Sequence, residues 1–345
     1  MTLWLNWRQA FRARAKTLRV YEGTRLEGIA SLETLAEAWS RVRANKGGPG
    51  GDGVTIAELA PEIERSLETL SKTLLAETYR PHKIRRAFIP KPNGGRRPLS
   101  IPAVIDRVAQ TAAMLALEPE FDQRMSETSL AYRVGRGVPQ AIKAVEDAYA
   151  CGLVWTVDVD IKSYFDTIWH RQLMTDMAIW IDDERILRLL LRWLRTFGWR
   201  GRGVAQGAPI SPLLANLYLH PVDRLMATAG YRMVRYADDF VVLVGSAKEA
   251  SRALKDVERF LRGRGLALNR EKTRIVPPGE EVRFLGCVVR AVSGDSRKPP
   301  TKGTVLPLPS GVASLVSCSG APAAMGHAEI PLTNEAPPQT DEACG

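Results

Sequence analysis

Two adjacent carboxylates, Asp238 and Asp239, sit in the run YADDF at residues 236–240, between the β-branched and apolar stretches YRMVR and VVLV. Short apolar runs flanking a tight polar centre predict a hairpin with the aspartates at its apex. Neighbouring carboxylates repel each other, and nothing in the local pattern neutralises them; a divalent cation would. Mg²⁺ binds through a few carboxylates, waters and substrate phosphates, so such a pair suits phosphoryl transfer on nucleotides. A polar hairpin turn without metal would also contain this dipeptide. A second acidic centre lies in LVWTVDVDIKSYFDTI, residues 153–168. Strand alternation puts Trp155, Val157 and Val159 on one face and Thr156, Asp158 and Asp160 on the other. An aspartate leaving the end of such a strand is a candidate third metal ligand, and a half-exposed strand with solvated aspartates fits the same pattern.

The surrounding chain predicts the elements that would hold these residues. Ser31 is placed to cap a helix with Leu32, Leu35, Ala36, Trp39 and Val42 at the 3.6-residue period. NKGGPGGDGVTI, residues 45–56, follows as a loop; it lacks the terminal Lys-Ser/Thr of a phosphate-binding loop. Pro61 is expected in the first turn of a second helix, with Ile63, Leu67, Leu70 and Leu74 along one stripe. IRRAFIPKPNGGRRPLSIP, residues 84–102, alternates on both sides of Asn93-Gly94-Gly95 and reads as a hairpin with a basic tip. Lys91, Arg96 and Arg97 near that turn could grip a triphosphate or a template backbone, or simply blunt a sheet edge. Helical patterns cover residues 105–117, 140–150, 187–194 and 247–263, the last marked by Leu254, Val257 and Leu261. Ser211-Pro212 is expected to start another helix as N-cap and N1. LALNREKTRIV and VRFLGCVV read as strands.

Charge and composition narrow the partners. The 345 residues carry a net charge of +10, and 45% hydrophobic content is ample for a core. Residues 291–345 hold 3 basic and 5 acidic residues, so the first 290 carry 45 basic against 33 acidic. That excess suggests a polyanionic partner, bound by phosphate neutralisation and counterion release, although a solvated basic surface has the same composition. The first 21 residues are Arg-rich and acid-free, as in a nucleic-acid-binding arm or a mitochondrial transit peptide. Cys151, Cys287, Cys318 and Cys344 show no paired spacing, so neither a zinc site nor a disulfide framework is expected, and a reducing compartment fits. No apolar stretch reaches a membrane-spanning length. After residue 290 the composition shifts to Gly, Ser, Ala and Pro, with 8 of the 22 prolines; a low-complexity, disordered tail is expected there.

In order along the chain, NKGGPGGDGVTI, IPKPNGGRRPLSIP, DIKSYFD, AQGAPISPLLAN, YADDF, the Lys272 region and FLG at residues 284–286 resemble the reverse transcriptases encoded by group II introns, also called maturases. The resemblance covers residues 45–289. It implies an α+β fold, the fingers and palm of a right-hand polymerase with a mostly antiparallel palm sheet and packed helices. The implied organisation is a basic N-terminal extension with a helix at 1–44, a reverse transcriptase domain at 45–290 and the low-complexity tail at 291–345. The family's thumb and maturase domain are not recognisable in that tail, which is expected to leave activity impaired.

The implied activity is RNA-directed DNA synthesis, with two Mg²⁺ ions held by Asp160, Asp238 and Asp239. Residue by residue, Phe165 matches the aromatic gate against a ribose 2′-hydroxyl, Gln206 a contact to the incoming nucleotide, and Lys91, Arg96 and Arg97 the fingertip positions that grip the triphosphate. Which of the two arginines does so is open at this level. Asp158 and Asp166 match no metal position. The implied partners are an RNA template of intron origin, a DNA primer and deoxynucleoside triphosphates, with no membrane, in a bacterial cytoplasm or, failing that, an organelle. A non-catalytic RNA-binding splicing cofactor, a degenerate truncated product and a retron-type reverse transcriptase are the alternatives; NKGGPGGDG argues against the last, and the intact YADDF, Gln206 and Phe165 against the first.

Overall fold

The VVLV run is apolar at every position because both faces of its strand are covered. In the computed structural model, which describes residues 24–90, 95–198 and 200–291 with the short strand 317–318, this run belongs to a four-stranded sheet. Ahead of the sheet come α1 (Leu26–Ala30), α2 (Leu32–Ala44), α3 (Ile56–Leu59), a 3₁₀ turn (Ala60–Glu62) and α4 (Ile63–Leu75). The hairpin strands β1 (Arg85–Pro90) and β2 (Arg96–Ile101) follow, then α5 (Val104–Arg124) and α6 (Val138–Ala150). β3 (Trp155–Val159) leads to α7 (Tyr164–Thr167), α8 (His170–Trp180), α9 (Glu184–Phe197) and α10 (Ser211–Thr228). β4 (Arg232–Tyr236), β5 (Asp239–Val244), α11 (Ala247–Gly263), β6 (Arg274–Val276), β7 (Glu281–Phe284), β8 (Cys287–Arg290) and β9 (Ser317–Cys318) complete the order.

The sheet runs β4-β5-β3-β6, and every pairing is antiparallel. One face carries Val157, Val159, Met233, Phe240, Val242 and Val244 into the main core with α8, α10 and α11. The other carries Val234, Val241, Leu243 and Val276 against Ala141, Ile142, Val145 and Ala148 of α6 and against β7–β8. The alternation predicted for β3 holds, but its polar face is not solvated. Thr156 is buried and shares a 2.7 Å hydrogen bond with the Tyr149 hydroxyl of α6, and Asp158 meets Arg274 at 3.3 Å on β6.

Local chemistry sets the element ends. Ser31 caps α2 by accepting from Thr34 N; Leu35, Trp39 and Val42 are buried as expected, with Ala38, whereas Leu32 and Ala36 face solvent. Thr55 and Glu58 form a capping box that starts α3 earlier than Pro61, which instead falls in the 3₁₀ turn. Ser211 does not cap: Ile210 is the N-cap, and the Ser211 hydroxyl is buried without a partner. VRFLGCVV is a hairpin rather than one strand, turning at Leu285-Gly286 with Leu285 at φ 54, and LALNREKTRIV is extended only at its end, as β6.

α1, α2 and α4 pack with α5 in the same core as the sheet helices. The glycine loop at 45–56 needs its glycines where it passes the base of the hairpin: a Cβ on Gly51 would collide with the Lys83 carbonyl. Cys287 is disulfide-bonded, against the expectation of no disulfide. Spacing along the chain cannot reveal such pairing, because a disulfide joins positions that only folding brings within reach. Among the described residues, no helix is long and apolar enough to cross a membrane. The basic arm at 1–21, Lys91 and, apart from Ala291 and residues 317–318, the low-complexity tail lie outside the described residues.

Candidate active site

β4 and β5 pair Tyr236 with Asp239, leaving a two-residue turn, Ala237-Asp238. Ala237 adopts φ 59, a left-handed conformation that a non-glycine residue holds only when its surroundings over-determine it. Here they do. Arg235 is 1% exposed and donates from Nη1 to the Ala237 carbonyl at 2.9 Å and to Asn216 Oδ1 at 3.0 Å. Its Nε and Nη2 grip Asp223 at 2.7 and 2.5 Å, and Asn216 Nδ2 donates to the Ala131 carbonyl at 2.7 Å. Strand β4 and helix α10 are thus clamped beneath the turn.

Asp160 leaves the end of β3 beside that turn. Its carbonyl accepts from Asn269 N at 2.9 Å, its amide donates to Thr273 Oγ1 at 3.3 Å, and Lys272 Nζ stands 3.3 Å from its carboxylate. The charge of Asp160 acts on both aspartates of the turn. Asp238 is pushed up, first by burial and then by Asp160, with Arg97 and Arg235 opposing. Asp239 is pushed up to about 6 by burial and by Asp238, Asp160 and Asp158, with Lys272 opposing. Because Asp239 opens to solvent, the neighbouring negative charges are its firmer cause. Among the described residues, no three acidic, His or Cys side chains converge closely enough to hold a metal ion as their rotamers stand. The donor chemistry nevertheless suits a hard cation: all oxygen and carrying unbalanced negative charge.

The other expected residues form two groups. Val204 N donates to the Phe165 carbonyl at 2.8 Å and Ser100 N to the Gln206 carbonyl at 2.7 Å, so the half-buried Phe165, Gln206 and β2 share one wall. Gly207, at φ 99, lets this wall close, since a Cβ there would lie 2.6 Å from Leu99 Cδ1. Arg97 and Arg96 alternate on β2. Arg97 acts electrostatically on Asp238 and also on Tyr132, whose hydroxyl is pushed up to about 12 by burial and then by Asp238. Arg96 registers opposite Pro90 and shows no such coupling. Asp166 lines a groove of about 590 Å³ with Arg86, Trp169 and Gln206, bounded by that same wall.

Sequence reasoning passed over Arg235, Asp223 and Asn216. The signal was present: an arginine between Val234 and Tyr236 on a core strand, and an aspartate beside Val222 on an apolar helix face. A buried charge of one sign implies a buried partner.

Over residues 89–289 the sequence matches the family described as reverse transcriptase (RNA-dependent DNA polymerase). The chain belongs to the reverse transcriptase family. This reverse transcriptase is 33% identical over 318 residues to Protein YkfC of Escherichia coli, covering 78% of the chain and 83% of that relative. It is 27% identical to a COX1/OXI3 intron 1 protein of Saccharomyces cerevisiae, covering 75% of the chain, and 26% identical to the group II intron-encoded protein LtrA of Lactococcus lactis, covering 66%. It spans only 38% and 50% of the length of those two. It is thus a reverse transcriptase similar to group II intron-encoded proteins, and its fold is the α+β fingers and palm expected of its family.

Proposed function

We propose that Asp160, Asp238 and Asp239 are the catalytic carboxylates and hold two Mg²⁺ ions for nucleotidyl transfer to a primer 3′-hydroxyl on an RNA template. The observation that carries this reading is the gathering of three carboxylates at one turn, where the charge of Asp160 pushes up both Asp238 and Asp239 and Arg97 acts on Asp238. Bound there, Mg²⁺ would lower the pKa of the attacking hydroxyl and offset charge on the phosphoryl and leaving oxygens. The chain's own residues supply the geometry. The Arg235 clamp fixes the carbonyl of Ala237 and with it the direction of Asp238, while Asn269 and Thr273 fix the backbone of Asp160.

Arg97 is the fingertip arginine assigned to the triphosphate, since its charge acts on Asp238; Lys91 is assigned to it on the family resemblance alone, and Arg96 alternates to the opposite face of the strand. Phe165, tied through its carbonyl to the Gln206 wall, is assigned to exclude a ribose 2′-hydroxyl and Gln206 to contact the incoming nucleotide. The substrates are deoxynucleoside triphosphates, a DNA primer and an RNA template, with intron RNA the natural one. Extension of a DNA primer on an RNA template, dependent on Mg²⁺ and lost in Asp160→Asn, tests the assignment. Undiminished extension by that variant would remove Asp160 from the ligand set.

A further inference from the structure

Helix α9 carries a stripe of arginines, and its two halves are treated differently. In the first half Arg185 is held by Glu27 at 2.6 Å and Asp183 at 2.7 Å, and Arg188 by Glu77 at 2.6 Å and Glu184 at 3.4 Å. In the second half Arg192 and Arg195 have no carboxylate partner among the described residues, and neither has Arg80 on the facing loop. These three border an open groove of about 520 Å³ with Leu191 and Pro81. The groove shares no residue with the carboxylate turn or with the Gln206 wall.

Two of the three, Arg80 and Arg192, are held in place, and Arg195 is exposed. Arg80 Nη1 donates to the carbonyls of Tyr79 at 2.9 Å, Thr78 at 3.2 Å and Glu77 at 3.3 Å, and Arg192 Nη1 reaches the Tyr79 carbonyl at 3.4 Å. Tyr79 is itself anchored, its hydroxyl donating to Asp106 at 2.6 Å and accepting from Trp193 Nε1 at 3.2 Å. Burial and then the charge of Arg80 hold Arg192 below the usual guanidinium range, with Glu77 offsetting only part because Arg188 engages it. Concentrating three like charges at one groove, with only the shared charge of Glu77 to offset them, costs free energy that an external anion would recover. Guanidinium forks match phosphate oxygens, and residues three apart on a helix stand about 5–6 Å from each other. Arg192 and Arg195 can therefore meet neighbouring phosphates of one strand, with Leu191 and Pro81 offering apolar surface to the sugars.

We propose that Arg80, Arg192 and Arg195 form a second phosphate-binding site that takes the sugar–phosphate backbone of a folded RNA outside the polymerase centre. The choice of a nucleic acid rests on the polymerase reading; the site itself does not. Equilibrium binding of the full chain, without nucleotides, to a folded RNA and to a short primer–template separates the two. Arg192→Gln/Arg195→Gln should weaken folded-RNA binding about tenfold near physiological salt and flatten the slope of log Kd against log salt by about 1.4, two single-strand contacts. The extension rate on the short primer–template should be unchanged. Arg195→Gln alone, at an exposed and unpartnered position, should give about half the slope change, and Arg192→Lys/Arg195→Lys should keep most of the slope. Wild-type affinity and slope in Arg195→Gln and in the double Gln variant would overturn the proposal. So would an equal loss of extension on the short duplex, which would put the groove in the template path, or competition by polyglutamate as effective as by RNA, which would make the partner an acidic protein. Because binding is read without synthesis, an inactive polymerase centre would leave the result intact.

Discussion

The turn at Ala237-Asp238 separates two opposite treatments of charge within a few residues. Below it, Arg235 and Asp223 are fully buried and every strong contact of the guanidinium is made inside the protein. Above it, Asp238, Asp239 and Asp160 are left with excess negative charge, opposed by Lys272, Arg97 and, from below, Arg235, whose charge Asp223 already matches. A charge matched internally stiffens the scaffold, whereas a charge left unmatched stores an attraction for something that binds. The two halves of α9 repeat the contrast with the opposite sign.

The comparison breaks most visibly if the unmatched carboxylates prove dispensable. Asp238→Asn should lower primer extension on the order of 10³-fold, the scale of losing one preorganised electrostatic partner, with RNA affinity unchanged or slightly raised because no phosphate contact is lost. Single-turnover extension and filter binding read the two effects, and a parallel loss of affinity would mean that Asp238 acts on folding instead. The matched pair should behave the other way. Asp223→Ala leaves Arg235 buried and unpaired and should cost about 3–5 kcal/mol in denaturant unfolding, while Arg235→Met/Asp223→Leu should be close to neutral in stability. That double variant should still extend primers roughly 10–100-fold slower, because the Ala237 carbonyl has lost its donor and the aspartates their placement. Wild-type extension by the double variant would reduce the clamp to scaffold alone.

A smaller effect sharpens the same line. Arg97→Ala should raise KM for the nucleotide roughly tenfold, one charge-assisted hydrogen bond, with template–primer Kd nearly unchanged, and Arg96→Ala should do less. Equal effects of the two would deny the facing that β2 gives them. The smallest effect concerns pH in the metal-free protein. Asp239, raised to about 6, binds a proton in the folded state that its unfolded form releases near pH 4. Its contribution to stability therefore falls as pH rises from about 4 to 6 and stays unfavourable above. Asp239→Asn should melt higher than wild type at pH 7.5 in chelator and equally at pH 4, and Mg²⁺ should narrow the difference at pH 7.5; a lower melting temperature for the variant at pH 7.5 would contradict this sign.

What the sequence alone determined are the features written in short range. Alternation in residues 155–160, the cap at Ser31 and the acidic centre of YADDF follow from residue type and spacing, because period, capping and turn chemistry act within a few positions. It also showed Asp160, Asp238, Asp239, Phe165 and Gln206 as residues to watch. Only the tertiary structure decided what faces what. The polar side of β3 is closed by α6, the two arginines of the hairpin point to different surroundings, Ser211 loses its cap to Ile210, and Arg235 finds Asp223 across a strand–helix contact. The same holds for Arg80, which meets the last turns of α9 from a loop more than a hundred residues earlier. Such partnerships depend on packing between distant segments, where the low-dielectric interior fixes which charges must be paired and the open surface allows others to remain unpaired.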